Sequence, residues 1–362
     1  MARYFYMIVF LNMTVHIIFN VPLILIQNRF NGAVISMALS IVIGTILSYM
    51  FIKAMSKYPY NGLPEIFMDL LPAYIRVPFL IFLSLMWIAA GSLAIGSFAY
   101  LIKLYLNPEM DLRIILGFLV LVLLYGSTRG TQSILYKVEI TILTVSPFIA
   151  YIIFKALTSN YFYPVHIKRA LQYSLEMPNY SSVAAASYIF TGYINLVIMN
   201  RNIQAKRILK HFWLIPVLGT LILAFTYFIP FGFLGIKSIG DFVLPWMVTV
   251  DTIRMEYGFI ERASFLLVMI FMQLSILFAI INWNVGLELM KSALGIEDRK
   301  TGKRLFTLVF LGIVGFLTVY FQETLNQRSY FEAVKIWFNL RLPVEILLVL
   351  ALSLLSLRRK QA

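Results

Sequence analysis

The chain has 362 residues, of which 61% are hydrophobic and only 13% charged, whereas soluble domains carry roughly 45–50% apolar and about 25% charged residues. It contains no cysteine and three histidines at unrelated spacings (His16, His166, His211), which excludes disulfides and cysteine metal centres and argues against a histidine one. The net charge of +14 sits in short loops between apolar runs, a pattern of membrane topology and not of a nucleic-acid-binding face.

Ten apolar runs approach the length of about 20 residues that a lipid bilayer demands of a helix. Short lipid-exposed strands would leave backbone groups unpaired, so the fold class expected is an all-α polytopic membrane protein. The first run, Tyr4–Ile26, is too long for a signal-peptide core and is read as a retained helix. It carries Asn12, Thr14, His16, Asn20 and Pro22. Val34–Ala54 follows, then Val77–Tyr100, whose Trp87, Gly91, Ser92, Gly96 and Ser97 give the small-residue spacing of close helix packing. Ile114–Tyr125 is short, and the helix is expected to extend beyond it. Val138–Leu157 begins near Lys137 and Glu139, the latter read as interfacial. Ser181–Asn200 contains Thr191-Gly192-Tyr193 and Asn195. Phe212–Ile236 and Ala263–Leu289 come next, with Asn282, Trp283 and Asn284 near the end of the latter. Leu305–Phe321 and Leu342–Leu357 complete the set. Between those two, Asn326–Arg341 mixes charges with Phe331, Val334, Ile336, Trp337 and Phe338 and reads as an amphipathic interfacial piece. No Asp or Glu falls at the centre of any of these spans.

Lys and Arg set the orientation. Alternate loops, counted from the N-terminus, hold Arg3; Lys53, Lys57 and Arg76; Arg129 and Lys137; Arg201, Lys206, Arg207 and Lys210; Lys291, Arg299, Lys300, Lys303 and Arg304; and Arg358, Arg359 and Lys360. That is 18 of the 30 basic residues, so both termini are expected in the cytoplasm. Ten helices divide into two halves of five with opposite orientation (4–157 and 181–357) within one membrane domain. This is the arithmetic of an inverted-repeat transporter, in which the first helix of each half is interrupted and lines a site at mid-membrane. Pro22 in the first span and Gly192 in the sixth stand where such interruptions belong. His16 lies mid-helix, where an ionisable group is costly; a ligand contact and a bridge to a neighbouring helix are equally open readings. No Walker loop, HExxH or GxSxG occurs, so no enzyme, cofactor or metal is indicated.

Several motifs in order carry a family resemblance. Leu244-Pro245-Trp246, then Gly258-Phe259-Ile260-Glu261-Arg262 leading into an apolar helix, resembles the B subunit of bacterial spore germinant receptors. Tyr58-Pro59 after the second span, Lys103, Tyr125 to Gly130, and Phe190-Thr191-Gly192 agree with it along nearly the whole chain. The resemblance implies a relative of the amino-acid/polyamine/organocation permeases with a LeuT-like fold. It further implies a role in sensing a small-molecule germinant, such as an amino acid, in the spore inner membrane. The implied partners are a membrane-bound A subunit and a C-subunit lipoprotein. Family ligand positions fall here on Thr14, Val15, His16 and Ile17, on Met86, on Phe190, Thr191, Gly192 and Tyr193, and on Phe271. The sequence departs from the family at Val15-His16-Ile17, where relatives carry Gly-x-Gly, at Ile194, where they carry Glu, and at Phe271, where they carry Trp. Three functions follow from these residues: a receptor subunit, a secondary transporter of amino acids or related solutes, and a structural subunit that binds nothing.

Overall fold

The structure is a computed structural model that describes residues 2–203, 205–253, 262–296 and 300–358. In chain order its helices are α1 (Ala2–Val15), α2 (Asn20–Gln27), α3 (Ala33–Met55), α4 (Leu63–Leu70), α5 (Ala73–Tyr105), α6 (Leu112–Ser127), α7 (Thr131–Leu157) and α8 (Pro164–Leu171). They continue with α9 (Tyr180–Ser187), α10 (Leu196–Met199), α11 (Ala205–Ile208), α12 (Leu214–Leu234), α13 (Pro245–Asp251), α14 (Ala263–Ala293), α15 (Lys300–Thr324) and α16 (Gln327–Arg358). Between α9 and α10 the chain keeps turning as a 3-10 segment, Tyr188–Asn195.

The protein is an all-helical polytopic membrane protein. Among the described residues, eight helices are long and apolar enough to cross a membrane, and the bent pair α1 and α2 makes a ninth. The fourth expected span is α6, which runs a few residues beyond Ile114–Tyr125 at both ends. Its 16 residues reach about 24 Å, shorter than a ~30 Å hydrocarbon core. Gly258, Phe259, Ile260 and Glu261, and the basic residues Arg299, Arg359 and Lys360, lie outside the described residues.

Two helices are interrupted where the sequence indicates. The first bends by 48° between Val15 and Asn20. Pro22 stands in the first turn of α2, where its missing N–H costs nothing; a continuous helix would set its ring against the carbonyl of Ile18. The second interruption is the 3-10 stretch, and it packs directly on α1. A Cβ at Gly192 would lie 2.7 Å from the Val9 Cα and 3.0 Å from the Asn12 Cβ, so the two helices meet only because this position is glycine. Asn12 Nδ2 donates to the Tyr188 and Ile189 carbonyls (2.8 and 3.2 Å), tying one break to the other.

This sixth span forms the centre of the bundle: 94% of its apolar window is buried, against 22% for α7. Beside it, α5 and α14 form the most extensive helix pair. Their approach uses small residues as expected, since a Cβ at Gly91 would come 2.7 Å from Trp283 and one at Gly286 2.8 Å from Ile88. Asn284 likewise makes interhelical bonds, donating to the Ser127 and Arg129 carbonyls (2.9 and 3.1 Å). Glu139 pairs with Arg3 at 3.1 Å, in keeping with a place at an interface.

One expectation is overturned. Asn326–Arg341 is no separate interfacial piece; from Gln327 onward it forms the first half of the continuous 32-residue helix α16. Tyr330, Val334, Phe338, Leu342 and Glu345 are buried along it at spacings of four, four, four and three, which is one face of a helix turned inward. Its charged residues before Arg341 occupy the other face.

Candidate functional site

The same helix corrects a second expectation, that no carboxylate lies at the centre of a span. Because α16 starts at Gln327, Glu345 falls just past its midpoint, and it is only 4% exposed. One turn before it stands Arg341, 3% exposed. The guanidinium pairs with Glu345 through Nη1, which also donates to Thr191 Oγ1 at 2.9 Å. Its Nη2 donates to the Ala184 carbonyl and to Ser187 Oγ, the latter at 2.8 Å. On the carboxylate, Oε1 accepts from the Tyr193 hydroxyl at 2.5 Å and Oε2 from Thr191 at 3.4 Å. Every one of these partners belongs to α9 or the 3-10 segment. The interrupted helix therefore supplies the hydroxyls and carbonyl, and α16 supplies the charge.

A buried ion pair is tolerated only when further hydrogen bonds occupy its remaining donors and lone pairs, and removing one partner then costs about 3–5 kcal/mol. Thr191 and Tyr193 reach the pair because the segment is 3-10, with 3.0 residues per turn in place of 3.6, which turns neighbouring side chains onto directions a regular helix would spread differently. Asn195 closes the segment, accepting from Trp87 Nε1 at 3.0 Å and donating to the Gly192 carbonyl.

Aromatic rings surround the pair. The Arg341 guanidinium lies 5.0 Å from the Tyr188 ring centroid. Tyr188 in turn meets His16 at 4.3 Å, Trp337 at 5.1 Å and Phe338 at 5.1 Å. His16 stands in the break of the first helix, 4% exposed, edge-on to Phe278 at 5.1 Å. Its Nε2 has no hydrogen-bond partner. Beside the pair is a cavity of about 30 Å³, lined by Met86, Trp87, Tyr188, Asn282, Trp337 and Arg341 among others, roomy enough for a water or two.

The residues named from the sequence divide between this centre and its surroundings. Thr191 and Tyr193 touch the ion pair, Met86 lines the cavity, and His16 is one ring away. Thr14 and Ile17 line a separate apolar cavity of about 20 Å³ with Ile149, Trp246 and Leu274, and the Thr14 hydroxyl donates back to the Phe10 carbonyl at 2.8 Å. Val15 is buried as the last residue of α1. Phe190 points away from the pair, its ring seated against Gly44 of α3 and Gly219 of α12. Gly192 faces α1, and Phe271 packs edge-on to Phe98, 5.9 Å away.

Arg341 and Glu345 escaped the sequence reading. The signal for them was present: opposite charges four residues apart inside an apolar stretch, the spacing that puts both on one side of a helix. Ionisable groups in a membrane span are functional candidates by default. Among the described residues no three His, Asp or Glu side chains gather where they could hold a metal ion.

Two further polar groups brace the centre. Asn20 donates to Ser97 (2.9 Å), which meets the Tyr330 hydroxyl at 2.7 Å, joining α2, α5 and α16. At the end of the bundle where α3 finishes, Arg201 pairs with Glu65 of α4 at 2.5 Å and with Glu288 of α14 at 3.7 Å. Glu288 also pairs with Lys291 at 2.9 Å. Asn200 donates to the Tyr58 and Asn61 carbonyls, both at 2.8 Å, which fixes the Tyr58-Pro59 loop to the end of the sixth span.

Fold and site together define a polytopic helical membrane protein whose buried polar centre is built on interrupted helices. The sequence narrows this further: residues 1–356 match the family described as spore germination protein, the spore permeases. The chain belongs to that family. No curated protein matches it.

Proposed function

We propose that this chain is the membrane subunit of a spore germinant receptor, in which a small molecule binds beside the Arg341–Glu345 pair and shifts the packing of α16 against the interrupted sixth span. The observation that carries this reading is the buried pair itself, held wholly by groups of the interrupted segment. A pair so placed couples any change in the pocket to the relative position of two helices, and a ligand shifts an equilibrium by the difference in its affinity for the two states. On this reading the two halves, 4–157 and 181–357, form a LeuT-like inverted repeat. A membrane-bound A subunit and a C-subunit lipoprotein read the shift. Both termini face the cytoplasm, as the distribution of Lys and Arg favours.

Tyr193→Phe tests it, since this removes only the hydroxyl that Glu345 accepts from. Spores of a strain lacking the gene are complemented with wild type or variant and germinated over a range of nutrient concentrations. The variant should need several-fold more germinant at equal protein level. Superimposable dose–response curves would refute the role of the pair.

A second reading, secondary transport of a related solute, gains from the same observation. Glu345 supplies the membrane-centre carboxylate that proton relays and ion sites use. Uptake into proteoliposomes that is abolished by Glu345→Gln would favour a transporter over a receptor.

A further inference from the structure

A larger cavity opens at the end of the bundle where α2 finishes and α16 begins. At about 560 Å³ it falls within the roughly 300–1,000 Å³ of small-molecule sites. Leu23 and Ile26 of α2 form one wall. Arg328, Phe331, Glu332 and Lys335 form another, at spacings that put them on one side of α16. The segment after Gly240 adds Asp241, Phe242 and Val243. Phe242 and Val243 are 37% and 40% exposed, an apolar lip that interior packing leaves uncovered.

The charges around this cavity do not balance. Arg328 and Glu332 pair with each other at 3.4 Å, and among the described residues Arg29, Lys335 and Asp241, which also line it, form no ion pair. Two cations therefore face one carboxylate. Arg29 is held in place: its Nε and Nη1 donate to the Ile236 and Ile26 carbonyls (2.8 and 3.1 Å), and its guanidinium lies 4.6 Å from the Phe30 ring centroid. That leaves Nη2 without a partner. A Cβ at Gly240 would run into the guanidinium, so the loop comes this close only because the position is glycine. A guanidinium fixed beforehand gives up little freedom when it meets a carboxylate. Phe331 also meets Phe19, in the break of the first helix, at 5.7 Å. An occupant of the cavity thus touches α16 and the interrupted helix at once. We propose that this cavity binds a small solute whose carboxylate is held by Arg29 and Lys335 and whose apolar body lies against Leu23, Ile26 and Phe331. The site is separate from the Arg341–Glu345 centre and does not depend on the receptor reading.

The test titrates the full chain in lipid nanodiscs by calorimetry, with empty nanodiscs as the blank. The probes are 4-methylpentanoate, L-leucine and 4-methylpentanamide, which share one branched side group; only the first two carry a carboxylate. At least one carboxylate should bind saturably, and the amide should bind about 10-fold more weakly, the difference that a charge-assisted hydrogen bond makes. Leucine alone would mean that Asp241 takes up its ammonium group, and the plain acid alone that Asp241 turns no ammonium group to use; either result supports a carboxylate site and names its source. Arg29→Gln should weaken binding about 10-fold. Lys335→Gln, at an exposed position, should weaken it roughly 3-fold and keeps the test open if Arg29→Gln does not fold. Lys168→Gln, an exposed lysine of α8 outside the cavity, should change nothing. No saturable binding of either carboxylate, equal affinity for the amide, or affinity indifferent to Lys335→Gln would overturn the proposal.

Discussion

Glu345→Gln is the sharpest perturbation the structure offers. The substitution keeps the shape and one acceptor oxygen but leaves the Arg341 guanidinium, 3% exposed, without its counter-charge. Breaking one side of a buried pair costs about 3–5 kcal/mol, which for a chain of this size corresponds to a fall in Tm on the order of 10 °C. Replacing both members with apolar residues, Arg341→Met with Glu345→Leu, removes the uncompensated charge as well as the pair. The double variant then loses mainly the hydrogen bonds to Ser187, Thr191 and Tyr193, and its cost should fall short of the sum of the single variants by about 2 kcal/mol. Thermal unfolding of purified protein, followed by tryptophan fluorescence, measures Glu345→Gln and the four corners of the cycle: wild type, Arg341→Met, Glu345→Leu and the double variant. Single variants within about 1 kcal/mol of wild type, or strictly additive losses, would mean that the pair is neither as buried nor as coupled as its contacts imply.

Four other outcomes follow from the same contacts. Gly192→Ala puts a methyl group 2.7 Å from the Val9 backbone and should destabilise by about 1–3 kcal/mol, whereas Gly130→Ala, with nothing within 4 Å, should be silent in the same melt. Glu332→Gln breaks a pair whose side chains are 90% and 63% exposed at Arg328 and Glu332, so its loss should stay below about 1 kcal/mol and well below that of Glu345→Gln. If His16 contacts the ligand, His16→Leu should raise the germinant concentration needed by roughly 5- to 150-fold while His16→Gln is partly tolerated; identical curves for all three proteins would remove it from the site. A cytoplasmic reporter fused after Ala362 should be active and an exported one inactive, because α6 must cross the membrane for both termini to share a side; the reverse result would make α6 a non-spanning helix.

Much of the fold was legible in the chain because its causes are local. Long apolar runs in lipid can satisfy their backbone only as helices, so nearly every span lies where hydropathy puts it. The breaks were legible too, since Pro22 and Gly192 act on their own turns of backbone. So was a close helix contact along α5, which Gly91 permits, although only the structure shows that α14 is the partner. The composition of the site was only half legible. Thr191, Tyr193 and Met86 came from the interrupted segment and its neighbours, but Phe190 and Gly192 serve packing contacts on other sides of the same segment. A 3-10 turn directs successive side chains to different neighbours, and sequence spacing alone does not say which neighbour each will meet.

Arg341 and Glu345 depended on tertiary structure altogether. The polar stretch Asn326–Arg341 lowers the hydropathy that marks a span, so the last helix appeared to begin at Leu342, with both charges at its edge. In the folded protein α16 begins fifteen residues earlier, because one face of that stretch, Tyr330, Val334 and Phe338, finds a buried surface to pack on. This shift carries the two charges from the expected interface to the interior, where Ala184, Ser187, Thr191 and Tyr193 receive them. Hydropathy is a property of residues one at a time. Whether a charge can be buried depends on partners more than a hundred residues away in the chain, which only the packing of α16 against the sixth span brings within hydrogen-bond reach.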